Sequence, residues 1–454
     1  MNICDNEYQK MIKTPIKKLI ICLSLPTTIS MIITSVYNIV DTFFVRSLGK
    51  EVSGAISVVF PLMALLQAIG FMLGTGSGSL ISLCLGKKED EKAKNYGLTA
   101  FILSALLGLI FMFLSLLFLT PILKLLGSTE KVLPYAFIYA RYTLFGAPIM
   151  TASFALNNIL RSEGKAKLAM IGLVFGALLN IVLDPILIFI LNLGIKGAAI
   201  ATLISQIVSF FLLLLCFIRK KTIIKLKIKN FSFKKNITFD ILKIGFPSFI
   251  RQLLAALAAI LLNNQASLYG SEAGLSAMGI VNKIFMIVFS ICIGIGQGYQ
   301  PVVGFNYSAK EYKRVKGAMI FTYLYSLVIL SIIALFLYFN STFFIKLFIT
   351  DNEVIMIGTK ALKYYALSIP LINLNIICNM TYQAINKKIK AVILSVYRQG
   401  IFFLPLVFLL PKYYKMTGVE ITQALADGIS FIFSIPFFIL LIIRFNKRHK
   451  ESLN

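Results

Sequence analysis

Apolar stretches long enough to cross a bilayer follow one another along this chain, separated by short polar connections. Read by hydropathy they predict about twelve spans, over 16–47, 52–84, 95–120, 135–160, 168–192, 195–218, 241–268, 275–305, 317–339, 357–384, 390–411 and 419–443. Several are longer than a bilayer requires and must tilt, kink or project beyond the lipid. Pro26, Pro61, Pro148, Pro247, Pro370, Pro405 and Pro436 fall inside them. The ten-residue alternation of an outer-membrane barrel is absent, so the expected fold is an all-α polytopic membrane protein.

The connections set the expected orientation. Lys87, Lys88, Lys92 and Lys94 follow the second span, Arg161, Lys165 and Lys167 the fourth, Lys310, Lys313, Arg314 and Lys316 the eighth, and Lys387, Lys388 and Lys390 the tenth. Connections on the other side carry only pairs such as Lys124 and Lys131, or Lys412 and Lys415. Both basic termini are therefore expected in the cytoplasm, the chain being a multi-pass protein of the cytoplasmic (inner) cell membrane. The longest polar connection, Arg219 to Asp240, carries eight lysines and arginines before its first acid and reads as a lipid-facing cytoplasmic linker.

That linker separates two similar halves. Pro26 pairs with Pro247 and Glu51 with Glu272, while Gly74, Gly76 and Gly78 pair with Gly294, Gly296 and Gly298. Lys124, Arg141, Tyr142 and Pro148 then pair with Lys346, Lys363, Tyr364 and Pro370, each 222 positions on. The expected domains are an amino-terminal lobe over 1–218, the linker over 219–240 and a carboxy-terminal lobe over 241–454. Six spans per half is an even number, so both lobes enter from the same side. They should be related by a pseudo-two-fold axis along the membrane normal, as in transporters built from parallel repeats.

Composition narrows the functional classes. The 454 residues are 58% hydrophobic with a net charge of +27, and mean hydropathy is +0.86. The charge is explained by the alternating connections rather than by nucleic acid, which is not an expected partner. The six cysteines are scattered without CxxC or metal spacing and read as reduced packing residues. The one histidine, His449, lies in the basic tail, so histidine catalysis or ligation inside the membrane is excluded. No GxxxxGK[ST] stretch gives the chain a nucleotide site of its own. The first span is too long for a signal peptide and lacks a clear cleavage site. A membrane-embedded enzyme or sensor would need a metal cluster or activated nucleophile in the spans, and none is evident; no cofactor is expected.

Candidate chemistry centres on Gly172 to Pro185. Gly172, Gly176, Asn180 and Asp184 recur every fourth residue and so share one face of a helix. The glycines admit a neighbouring helix closely. Pro185 cannot donate to the helix and should free the carbonyl of Ile181. A carboxylate here costs about 2.5 to 3.5 kcal/mol on insertion scales and implies function. Among the 18 acidic residues only Asp41, Asp184 and Asp427 lie well inside spans. Thr34, Tyr37, Asn38 and Asp41 share a face of the first span. At about 1.5 Å per residue, Asp41 and Asp184 sit roughly 10 and 14 Å from the outer edge, and Thr202 enters the sixth span at a depth of about 10 Å. Two carboxylates with amide, phenol and hydroxyl neighbours suit a proton relay or a Na⁺ site with oxygen ligands. Arg251, Lys283 and Arg398 place buried base in the second half, where Asp427 stands with Gln423 one turn before it; Asn157, Gln297, Gln300, Arg398 and Asp427 are further candidates for a substrate cavity or secondary polar sites.

At these residues the chain resembles the multidrug and toxic compound extrusion (MATE) family. The resemblance runs over almost the whole length, through Tyr-Asn-Ile-Val-Asp-Thr-Phe-Phe-Val at 37–45, Leu-Arg-Ser-Glu-Gly at 160–164 and Leu-Asn-Ile-Val-Leu-Asp-Pro at 179–185. The most diagnostic piece, typical of a bacterial drug-efflux branch, is Gly-Ile-Gly-Gln-Gly-Tyr-Gln-Pro-Val-Val-Gly-Phe-Asn-Tyr at 294–307. The resemblance implies twelve helices in two six-helix lobes, exporting organic cations against inward Na⁺ or H⁺. It also implies a cation site at Tyr37, Asp41, Asn180, Asp184 and Thr202, with no metal beyond Na⁺ at Asp41 and Asp184. Two departures stand out. Arg46 replaces a common glycine, and Leu262-Asn263-Asn264-Gln265 lacks the acid that one branch uses for a second-lobe Na⁺ site.

The expected function is a monomeric, cation-coupled antiporter that exports amphipathic organic cations by alternating access. The rival is a flippase for a lipid-linked or polysaccharide precursor, whose phosphates Arg251, Lys283 and Arg398 would hold. The charge pattern also fixes a topology test. Reporters fused after His449 and within the 219–240 linker should both report cytoplasm; labelling of a linker cysteine from outside intact cells would overturn the two-times-six arrangement.

Overall fold

The computed structural model describes residues 3–219, 222–225 and 235–452, with side chains for all of these except 3–6, 46 and 235. The Arg46 side chain and Lys220, Lys221, Lys227, Lys229 and Lys234 of the linker therefore lie outside the described residues. The described residues contain no strand. Their helices are α1 (Ile3–Lys13), α2 (Ile16–Arg46), α3 (Lys50–Gly86), α4 (Asp90–Leu117), α5 (Leu119–Leu125), α6 (Leu133–Phe145), α7 (Ala147–Ser162), α8 (Ala166–Pro185), α9 (Gly194–Ile218), α10 (Lys235–Ser308), α11 (Tyr312–Phe339), α12 (Ser341–Lys346), α13 (Asn352–Ala384), α14 (Lys388–Val396) and α15 (Phe403–Glu451). Single π-turns extend α8 over Ile186–Ile190 and join α14 to α15 over Tyr397–Phe402.

Nine of these helical runs, or ten with the bent pair α6–α7, are long and apolar enough to cross a membrane. Two of the ten are double: α10 breaks at Ser271 (φ 53°) and α15 at Lys415 (φ 51°). That makes twelve spans in the predicted order. Only the fourth differs in kind. Predicted as one helix over 135–160, it bends by 46° between α6 and α7. Pro148 sits in the first turn of α7, where its missing N–H costs nothing, and Gly146 closes α6 with a tight bond from its N–H to the Thr143 carbonyl at 3.1 Å.

The chain divides into two compact units, Met1–Lys13 with Ile29–Gln252, and Thr14–Thr28 with Leu253–Asn454. The start of each half's first span thus packs with the other half's helices. Glycines make this close packing feasible. In the first unit a Cβ on Gly245 of α10 would collide with the Met72 carbonyl of α3, and one on Gly76 would lie 2.9 Å from the Gly245 nitrogen. In the second unit a Cβ on Gly294 would meet the Thr28 backbone at 2.5 Å, and one on Gly298 the Ser24 nitrogen at 2.6 Å.

The internal repeat reappears in the hydrogen bonds of each unit. Asn157 donates to the Ala169 carbonyl at 2.9 Å, and Asn379, 222 residues later, to Ala391 at 2.7 Å. Thr151 donates to the Ser104 carbonyl at 2.7 Å, while at the corresponding positions Ser326 donates to Asn373 Oδ1, also at 2.7 Å. In the second unit α13 is the central element: 72% of its most apolar stretch is buried, against at most 50% in any other candidate span.

Two segments differ from their sequence reading. Before the first span, α1 lies against the first unit's loops, with Met11 buried, its sulfur 3.4 Å from where a Gly164 Cβ would stand, and the Tyr8 ring beneath Lys88 at 4.6 Å. Within the linker, Thr222, Ile223 and Ile224 are buried rather than lipid-facing. The Ile223 and Ile224 N–H groups donate to the two Glu163 oxygens, each at 2.9 Å, and Lys165 closes an ion pair with Glu163 at 2.8 Å. Two isoleucines supply the burial that the lysines around them cannot.

Burial pushes the Glu163 carboxyl above the usual glutamate range, with Lys165 and the two linker N–H groups pulling it back. Just above the ordinary glutamate value the folded protein holds a proton that the unfolded chain has released, so this contribution to stability is complete at acid pH and declines as pH rises. The melting temperature of the parent minus that of Glu163→Gln should therefore fall as the pH is raised above the ordinary glutamate value of 4.5. A flat or rising difference in a thermal-shift series would contradict this account.

Candidate functional site

The stripe on α8 performs two tasks at its two ends. At the glycine end it packs on α9. Ser209 donates to the Gly172 carbonyl at 2.9 Å, and a Cβ on Gly176 would stand 2.7 Å from Ser209 Cβ and 3.0 Å from the Ser205 carbonyl. At the other end Asn180 and Asp184 are fully buried, and Asn180 Nδ2 donates to Asp184 Oδ1 at 3.3 Å across one turn. Pro185 then interrupts the helix. The chain opens into a π-turn, with Leu191 N–H donating to the Ile186 carbonyl at 2.9 Å, and a wider bond from Leu193 N–H to the Leu187 carbonyl at 3.1 Å follows it. Such turns widen a helix locally and concentrate at functional sites.

Asp41 of α2, also buried, comes within hydrogen-bonding reach of Asp184. Its helix spends the nearby polar groups on itself: Thr34 donates to the Ser30 carbonyl and Asn38 to the Thr34 carbonyl, each at 2.8 Å. Three buried oxygens, Asp41 Oδ1, Asn180 Oδ1 and Asp184 Oδ2, have no hydrogen-bond partner. Tyr37 of α2 and Tyr139 of α6 lie in the electrostatic field of both acids. Thr202 on α9 is half-buried and makes no hydrogen bond among the described residues. Two carboxyl groups and an amide oxygen, with no buried base facing them in the hydrogen-bond pattern, form an acceptor-only set. It suits a bound proton or a hard monovalent cation with oxygen ligands. No cluster of three or more His, Cys, Asp or Glu among the described residues could hold a metal ion.

Tyr139 escaped the sequence reading. Its signal lay in the repeat, since position 361, 222 residues later, is Ala361. The two halves thus differ at this position by a phenol against a methyl group.

In the second unit the polar residues are used differently. Arg398, in the π-turn, donates from Nε to Asp427 Oδ1 at 2.6 Å; Gln423 adds a bond to the same oxygen at 2.9 Å, and Ser368 one to Oδ2 at 3.3 Å. Asp427 is thus an ion-paired acid, unlike Asp41 and Asp184. Asn157 is held by Ala169, Gln300 donates to Gln383 at 3.1 Å, and Gln297 is buried on α10. Arg251 is half-buried with Nη2 3.5 Å from Ser248 Oγ, and Lys283 is half-buried on α10.

Twelve spans in two repeated halves, with an acid pair sealed inside one of them, define a polytopic membrane transporter. Its relatives give the family. The MatE family model matches residues 26–186 and 247–409, and the chain belongs to the MATE family of efflux transporters. It is 28% identical over 432 residues to the multidrug export protein MepA of Staphylococcus aureus (strain NCTC 8325 / PS 47), covering 94% of each chain. Its fold matches an outward-facing MATE family transporter of the MOP superfamily with a TM-score of 0.92 at 27% identity, over 97% of this chain and 98% of that one. It also matches, with a TM-score of 0.90 at 27% identity over 97% and 98%, a MOP superfamily transporter from Pyrococcus furiosus described as having a binding pocket of reversed polarity.

The glycine end of the stripe is open to test. Gly176→Val would drive carbon into the Ser205–Ser209 face of α9. It should destabilise the protein by about 1 to 3 kcal/mol, seen as a lower melting temperature in detergent. An unchanged melting temperature would mean that α8 and α9 are not held at this distance by the glycine.

Proposed function

We propose that the chain is a Na⁺- or H⁺-coupled antiporter that exports amphipathic organic cations from the cell by alternating access. On this reading it is a monomer in the cytoplasmic membrane with both termini in the cytoplasm. One observation carries it: Asp41 and Asp184 lie within hydrogen-bonding reach of each other, Asn180 is the donor to the pair among the described residues, and three buried acceptor oxygens stay unfilled. Two such carboxyl groups are stable together only when a proton or cation neutralises them. A site that must be neutralised, and that can exchange what neutralises it, has the chemistry of an ion-coupling site. Tyr37, Asn180 and Thr202 complete the polar wall, and Tyr139 joins it. Phe, Tyr and Met side chains supply the adaptable surface that an aromatic cation favours.

MepA, by name a multidrug export protein, supports export of drugs by this chain as well. The flippase reading draws on the transporter of reversed pocket polarity and on the second half's base. Of its three candidate bases, Arg398 already has Asp427 as a counterion and keeps no uncompensated charge to balance a lipid-linked diphosphate, which favours the antiporter.

Vesicles loaded with a cationic dye and given an imposed Na⁺ or H⁺ gradient provide the test. Asp184→Asn keeps the shape but removes the charge; gradient-driven efflux should vanish while the folded yield stays near the parental level, and Asp41→Asn should behave alike. Asp427→Asn should do less damage to coupling. Folded Asp184→Asn protein that drives uphill transport at the parental rate would show the acid to be packing. Selective movement of a phosphorylated lipid would favour the flippase instead.

A further inference from the structure

We propose that the second unit contains a separate site for the carboxylate of an exported aromatic molecule, built on Arg398 and Tyr365; this rests on the chain being an exporter.

The geometry leaves Arg398 half used. The residue is 6% exposed, and its only hydrogen bond among the described residues runs from Nε to Asp427. Nη2 is buried without an acceptor. Asp427 also accepts from Gln423 and Ser368, and it makes no bond to Nη2. The guanidinium lies over the rings of Phe289 at 4.8 Å and Phe285 at 5.6 Å. Those rings stabilise its charge but offer no acceptor oxygen.

A second unmet donor stands beside it. Tyr365 is 1% exposed and its hydroxyl has no partner. Its ring meets Phe285 edge-on at 5.2 Å, and it interacts electrostatically with both Arg398 and Asp427. Arg398 and Tyr365 thus share Phe285 as a wall, and each presents an unused N–H or O–H. A buried donor without an acceptor is costly, more so when charged. Two of them against aromatic rings call for a ligand with an anionic oxygen on an aromatic body. A planar guanidinium fits a carboxylate better than any other side chain does.

The repeat points to the same place. The positions 222 residues before Arg398, Asp427 and Tyr365 are Gly176, Ser205 and Thr143. In the first unit Gly176 packs directly on the Ser205 backbone, leaving no charge there. The second unit departs from the shared frame by placing an ion pair and a phenol at these positions. Structural conservation of the frame does not require them.

Rhodamine 19 carries a free carboxylate, and rhodamine 6G is its ethyl ester, so the pair isolates the group in question. Binding of each to the purified full-length protein in detergent is read by fluorescence anisotropy, and the ratio of the ester's Kd to the acid's is compared between variants. Arg398→Gln should lower that ratio about tenfold and Tyr365→Phe about threefold, with Arg398→Lys between parent and Arg398→Gln. If Arg398→Gln fails to give monodisperse protein, the Tyr365→Phe ratio decides. Equal ratios in parent and folded variants overturn the inference while leaving export standing. Binding of neither dye by the parent overturns the inference, while export stands or falls by gradient-driven efflux from vesicles. Stabilisation of the parent by chloride without any discrimination between the dyes would make this the seat of a resident ion and overturn the substrate site.

Discussion

Hydrocarbon offers no hydrogen bonds, so a polar group placed in it must find its partner inside the protein or carry one in. This chain answers that constraint in two ways. In the second unit Asp427 is closed off by Arg398, Gln423 and Ser368. In the first, Asp41 and Asp184 are turned on each other, with Asn180 as the one donor. The satisfied acid can serve as a fixed element of the bundle. The other pair leaves three buried oxygens unfilled, the observation on which the proposed coupling role rests. The other intramembrane polar groups mostly bond their own helices: Thr34, Asn38, Thr75, Asn158 and Thr322 each donate to a carbonyl one turn back.

Both halves repeat one plan for bringing helices together. Asparagines on α7 and α13 tie the following helix by the same bond, and glycines on α3 and α10 remove the side chains that would keep backbones apart. Against that shared frame the differences carry information. The first half places Asn180, Asp184 and Tyr139 where the second has Phe402, Leu406 and Ala361, and the second places Arg398 and Asp427 where the first has Gly176 and Ser205. Each half has therefore concentrated its charge at a different point of the same scaffold.

The spans, the repeat and the α8 stripe were legible in the sequence because each is a periodic or long-range pattern. The proximity of Asp41 to Asp184 followed from counting depth along helices, which is sound when helices cross one slab. Several features were less accessible. The bend before Pro148 depended on Gly146 beside it, since Pro370 at the matching position leaves α13 continuous. The Arg398–Asp427 pair joins residues 29 positions apart on different helices, and no spacing rule links them. Burial of Thr222 to Ile224 turned on Glu163, a residue from another connection whose two oxygens match two consecutive N–H groups. Hydropathy sees neither kind of pairing.

The exchange of helix starts between the compact units bears on how the protein is made. Thr14–Thr28 belongs with helices that leave the ribosome more than two hundred residues later, and the first unit lacks Lys235–Gln252 until the linker has been synthesised. During synthesis the amino-terminal six spans are thus an unfinished body holding a segment for which they have no place. Each compact unit therefore draws on residues from both halves of the sequence. A chain cut in the linker would have to reassemble by trading segments in both directions. The two glycine-lined faces, Gly76 on α3 and Gly294 and Gly298 on α10, are the seats those segments would have to find.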